Sequence, residues 1–169
     1  MAANNWIPIQ TISGAASEYS FTSIPAGYKG LILKGNLQSA TSAYTVEFYI
    51  RCNGDTASNY QDSDFGYQLN THTLRKNGAQ GTSGGTGGFV GGSYLGDWGS
   101  HVEIHMFGVD NTDRYTTWAG TSAVGGGGNG YNVTMFGGGI WQNTASITQI
   151  DTLALNANAN STLTLYGRK

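Results

Sequence analysis

Residues 45 to 52 alternate without a break between apolar and polar side chains. Val46, Phe48, Ile50 and Cys52 fall on one side, and Thr45, Glu47, Tyr49 and Arg51 on the other. A period of two marks a strand with one face in a core and the other in water. The run ends in Asn53-Gly54, a dipeptide that accepts positive φ at both central positions, as a type I′ hairpin turn requires. The pattern returns at 101 to 106, where Val102, Ile104 and Met106 oppose His101, Glu103 and His105. It returns again where Leu163 and Leu165 alternate with Thr162, Thr164 and Tyr166.

Further strands are predicted over 6–12, 18–23, 31–37, 89–95, 115–123, 132–136 and 147–155. About ten short strands with almost no helical periodicity predict an all-β chain, an antiparallel β-sandwich of the jelly-roll type. An immunoglobulin-like sandwich is the structural alternative, although its paired cysteines are missing. Ile24-Pro25-Ala26-Gly27 fits a type I turn, with Pro at the second position and Gly at the fourth. Asn77-Gly78 and Asn129-Gly130 repeat the turn dipeptide. The glycine-rich stretch 81–92 is expected to be a long loop or a surface of close approach, and 125–130 is also rich in glycine.

The chain has 169 residues, 27 of them glycine, and only 11% are charged, against about 25% in an ordinary domain. That length fits one domain, with a first strand or N-terminal arm over 1–12 and a single β-sandwich over 13–169. A surface of hydroxyls, amides and glycine backbone associates with little charge to desolvate, which points to a multimer. The net charge is −2 with scattered Lys and Arg, so no basic stripe predicts nucleic-acid binding. Cys52 is the single cysteine, which rules out an intrachain disulfide. On an apolar face it is expected to be a small buried hydrophobe. No secretory signal is expected at the N-terminus. No run reaches the roughly 18 apolar residues of a membrane span.

Several constellations have residue types that could carry chemistry. His101, Glu103 and His105 share one strand face about 7 Å apart, a donor set that suits zinc or another transition metal. The alternative is a solvated polar face, and no metal or other cofactor is expected. Asp55, Asp62 and Asp64, and separately Asp110 and Asp113, resemble calcium loops or, better, turn residues. The glycine runs lack the Lys-Ser or Lys-Thr of a phosphate loop. There is no Gly-x-Ser-x-Gly elbow, and no acid–base pair of carboxylates stands out, so the chain is expected not to be an enzyme. Trp98, Trp118 and Trp141 are candidates for stacking on a host glycan, although aromatic residues more commonly build cores and subunit contacts.

Three segments carry a family likeness: Phe21 to Lys29 with its Ile-Pro-Ala-Gly-Tyr centre; Arg51 with Asn53-Gly54-Asp55-Thr56 and Asn59-Tyr60; and the closing Leu165-Tyr166-Gly167. Together, in order and spacing, they resemble the compact jelly-roll structural proteins of tailed bacteriophages. The resemblance spans most of the chain, with nothing to match residues 78–100. It implies a virion protein without catalytic residues, made in the host cytoplasm and placed on the capsid surface. There it would act as a decoration (cement) protein, a homotrimer bound to the major capsid protein at capsomer junctions. A tail or fibre module that recognises receptor carbohydrate is the alternative. In the decoration reading the N-terminal segment is an arm, with Trp6, Ile7 and Ile9 as assembly contacts.

Overall fold

The computed structural model describes residues 5–68, 73–81, 84–92, 99–125 and 132–169. It is all-β, with twelve strands among the described residues. These are β1 (Ile7–Ser13), β2 (Tyr19–Phe21), β3 (Gly30–Leu37), β4 (Thr45–Cys52), β5 (Tyr60–Gln68) and β6 (Thr73–Gly81). They continue as β7 (Gly85–Gly91), β8 (Ser100–Phe107), β9 (Thr116–Gly125), β10 (Asn132–Trp141), β11 (Ile150–Leu153) and β12 (Thr162–Arg168). An eight-stranded sheet runs β1-β12-β3-β8-β9-β10-β5-β6, and a four-stranded sheet runs β2-β11-β4-β7. All pairings are antiparallel, and the two sheets pack face to face as a β-sandwich.

Alternation builds the core. Leu31, Leu33 and Leu37 of β3, Val102, Ile104 and Met106 of β8, and Leu163 and Leu165 of β12 all point inward from the larger sheet. Tyr19, Phe21, Phe48, Ile50, Cys52, Val90 and Ile150 meet them from the smaller one. β4, β8 and β12 bury every second side chain, so slipping one residue in register would turn their apolar sets to water. The expected alternation of β4, β8 and β12 is the observed one.

Three expectations need correction. Residues 81–92 do not form a long loop, because β7 occupies 85–91 and pairs with β4. Its glycines instead give room to aromatic rings: a Cβ on Gly85 would lie 2.5 Å from Cζ2 of Trp118, and one on Gly87 would overlap the Phe48 ring. Asn77-Gly78 lies inside β6 and is not a turn. Asn53-Gly54 has the expected dihedral signs, with φ of 51° and 67°, and Asp55 N–H donates to the Cys52 carbonyl at 2.9 Å across it. It does not close a hairpin, however: β4 and β5 belong to different sheets, so this turn carries the chain across the sandwich. Asn129-Gly130 lies outside the described residues.

No strand is predicted from the sequence over β5 or β6. Their sequences, YQDSDFGYQ and TLRKNGAQG, lack an alternating apolar set. They lengthen the larger sheet beyond β10, with β6 as the edge.

Candidate functional site

The outer face of the larger sheet gathers His101, Glu103, His105 and Trp6. β8 turns Ser100, Val102, Ile104 and Met106 inward and His101, Glu103, His105 and Phe107 outward. Register aligns these with their neighbours in rows. Lys34, Glu103, Thr121 and Phe136 form one row; Ile32, His105, Ala119 and Gly138 the next; Gly30, Phe107, Thr117 and Ile140 the third.

Glu103 is the hub of the polar part. Its Oε2 accepts from Lys34 Nζ at 2.9 Å, Oε1 lies 2.8 Å from His105 Nε2, and His101 Nε2 stands 3.9 Å away. The Lys34 ammonium, followed by the His105 hydrogen bond, holds this carboxyl below the usual carboxylate range against a smaller opposing effect of burial. The expected sharing of one face by His101, Glu103 and His105 is thus observed. Lys34, a residue the sequence reading did not single out, takes one carboxylate oxygen and His105 the other. Among the described residues, no three His, Cys, Asp or Glu side chains are placed to hold a metal ion.

Aromatic rings continue the site on either side. Trp6 meets His105 edge to face, with centroids 6.2 Å apart, and the Arg168 guanidinium lies 5.5 Å from the Trp6 ring centroid. His105 in turn stacks on Phe107, 6.5 Å away and inclined by 19°. Trp6 therefore packs on its own sheet while remaining 36% exposed; Ile7 is 45% exposed, and Ile9 packs partly buried against the core. Within the segment expected to be a first strand or an N-terminal arm, the described residues form β1, Ile7–Ser13, which pairs with β12 of the chain's own sheet.

Beyond His105 the face opens into a groove of about 440 Å³ between Phe107 and Phe136, floored by Ala119 and Gly137 and edged by Glu103 and Thr121. A second groove of about 390 Å³ follows the same two strands past Gly138 to Thr117, Ile140 and Gln61. Phe107 and Phe136 are about half exposed. Neither was singled out in the sequence, although Phe107 extends the outward series 101, 103, 105, and Phe136 alternates with the buried Met135.

The tryptophans behave differently from the glycan expectation. Trp118 and Trp141 are buried in the sandwich, so neither ring is available to stack on a sugar. Trp98 lies outside the described residues.

The Asp55 segment is a structural knot. Asp55 Oδ2 accepts from Trp141 Nε1 at 2.7 Å and from Asn59 Nδ2 at 2.8 Å, and Oδ1 accepts from Ala57 N–H at 2.9 Å. The buried Tyr60 hydroxyl donates to the Asp55 carbonyl at 3.1 Å and accepts from Cys52 N–H at 3.1 Å. Asn53 Oδ1 accepts from the backbone N–H groups of Thr148 and Gln149, and its Nδ2 donates to the Ser146 carbonyl. The motif Asn53 to Tyr60 thus ties the sheet-crossing corner to Trp141 and to the segment leading into β11. Of the other carboxylates, Asp110 pairs with Lys29 at 3.2 Å and Asp113 lies 3.7 Å from Arg114. Asp62 and Asp64 sit on β5. Cys52 is fully buried, and that burial pushes its thiol far above the ordinary range.

Comparison of the sequence with models of known protein families and with curated proteins finds no match.

Proposed function

We propose that this protein is a structural component of a tailed-phage particle, a decoration protein that binds the outer capsid surface and stabilises the head. The observation that carries this reading is the strand order. With the pairs β5–β6 and β9–β10 set aside, the sheets are β1-β12-β3-β8 and β2-β11-β4-β7. The remaining strands cross repeatedly from one sheet to the other, so each sheet is assembled from strands distant in sequence. This order supports a jelly roll of two Greek keys enlarged by two antiparallel pairs on one sheet. The segments that carry the phage resemblance also occupy corners and the closing strand of that framework. Ile24 N–H donates to the Thr148 carbonyl, Asn53 to Tyr60 form the knotted corner, and Tyr28 packs on Gly167.

The mechanism is burial of surface without chemistry. A homotrimer seated on the major capsid protein at capsomer junctions would resist internal pressure by tying several subunits together. With so few charged residues, its contacts are expected to be apolar and backbone-rich, and salt alone should release it poorly. The test is copy number per virion, from quantitative mass spectrometry of purified particles. Hundreds of copies scaling with the major capsid protein fit decoration. A handful to a few tens would move the protein to the tail or a fibre, and absence from the particle would overturn a virion role.

A further inference from the structure

We infer that the groove between Phe107 and Phe136 is a binding site for a neutral saccharide. The inference stands on the chemistry of this face and is independent of where on a particle the protein sits.

Two aromatic rings about half exposed on a folded surface are apolar planes in water. They flank a floor of Ala119 and Gly137, whose small side chains let a flat ligand approach the sheet. Phe107 is braced from behind by His105, which is itself hydrogen-bonded to Glu103, so one stacking plane is held before any ligand arrives. A ring held in advance loses little conformational freedom on binding.

The polar groups around the rings select the ligand class. The hydroxyl of Thr121 in this groove, and the hydroxyl of Thr117 and the amide of Gln61 in the adjoining groove that Asp62 also lines, have no side-chain hydrogen-bond partner among the described residues. The Glu103 carboxylate is compensated by Lys34 at 2.9 Å, so the groove presents no uncompensated charge from that residue. Aromatic planes flanked by neutral donors and acceptors match a pyranose, whose C–H face is apolar and whose edge carries hydroxyls. Lys34, which shares the row of Phe136, is already paired with Glu103 and so offers an anionic ligand no free charge. The volume, about 440 Å³ and open to solvent, falls in the range of small-ligand sites.

The probes are soluble neutral hexasaccharides of glucose (α1–4 and β1–4 linked), of mannose and of N-acetylglucosamine. Each is titrated at millimolar concentration into the intact protein and followed by amide NMR. At least one is expected to shift amides of β8, β9 and β10 around Phe107, Ala119, Thr121 and Phe136. Its affinity should be unchanged between low and high salt. Phe136→Ala and Phe107→Ala should each weaken it by about tenfold or more, with thermal stability nearly unchanged because both rings are half exposed. Four results would overturn the proposal: no shift with any of the probes; shifts confined to another face; wild-type affinity in both alanine variants; or sugar-independent, concentration-dependent broadening of these same amides, which would make the face a contact between copies.

Discussion

The indole nitrogen of Trp141 donates a 2.7 Å hydrogen bond to Oδ2 of Asp55, joining the end of β10 to the corner that follows β4. The same carboxylate accepts from Asn59 and from the Ala57 backbone. Asp55→Ala removes the acceptor and leaves a buried indole N–H unsatisfied. The expected loss is about 2 kcal/mol, a fall in Tm of roughly 4–8 °C for a domain of this size. A thermal melt of the variant checks this, and an unchanged Tm would mean that the knot is not a stabilising element.

Stability should fall on acidification through the same group. Burial alone would raise the Asp55 carboxyl, but the hydrogen bonds from Asn59, Trp141 and Ala57 outweigh it and hold the folded-state pKa below the ordinary value. Glu103 is lowered as well, chiefly by Lys34. For a depressed carboxylate, the stabilisation is complete above the unfolded-state pKa, about 4, and is lost as pH falls through the lower folded-state value. Urea titrations from neutrality down to that region should show the decline. The slope should be shallower in Asp55→Asn, and an equal slope would assign the acid sensitivity elsewhere.

Asn53 makes a second and separable test of the corner. Asn53→Asp keeps an acceptor for the Thr148 and Gln149 amides, but it replaces the Nδ2 donor with an oxygen facing the Ser146 carbonyl, at present 2.8 Å from Nδ2. Two acceptors then face each other. A loss of about 1–2 kcal/mol is expected, measured as a lower urea midpoint with an unchanged m-value.

Trp118 lies against the backbone of both Gly85 and Gly139, where added Cβ atoms would overlap its six-membered ring. Gly85→Ala should therefore cost about 1–3 kcal/mol through overpacking. In a Trp118→Phe background, which lacks the ring atoms Cζ2 and Cη2, the same substitution should cost much less. A double-mutant cycle reads the coupling, and additive effects would show that backbone preference, not the indole, explains the glycine.

The Cys52 thiol is fully buried, and burial followed by the nearby Asp151 and Asp55 charges disfavours its thiolate. Only the thiolate reacts readily. A thiol reagent should modify the native protein negligibly and the urea-unfolded protein fully. Rapid labelling without denaturant would contradict the packing of β4 against the larger sheet.

How much was legible in the sequence depends on the range of the signal. The faces of β4, β8 and β12 follow from strict alternation, because a strand's side chains must point to opposite sides. The corner at Asn53-Gly54 follows from two residues tolerant of positive φ. β5 and β6 did not stand out, because their polar sequences carry no apolar period and their place is set by pairing with β10 and with each other. The outward set His101, Glu103 and His105 was readable. Lys34 was not, because it reaches Glu103 from a strand some seventy residues earlier in the chain.

The sequence by itself therefore determined the all-β class, the inward and outward sides of its strongest strands and the corner at Asn53-Gly54, since each is a property of a few consecutive residues. The tertiary structure decided what depends on distant partners. It made β1 the neighbour of β12 and placed β7 at Gly85–Gly91, earlier than the strand expected over 89–95. It gave Trp118 its place against Gly85 and Gly139, and it set Phe107 and Phe136 on opposite sides of one groove. Those outcomes rest on register between strands far apart in the chain, and no local pattern encodes which strand will lie beside which.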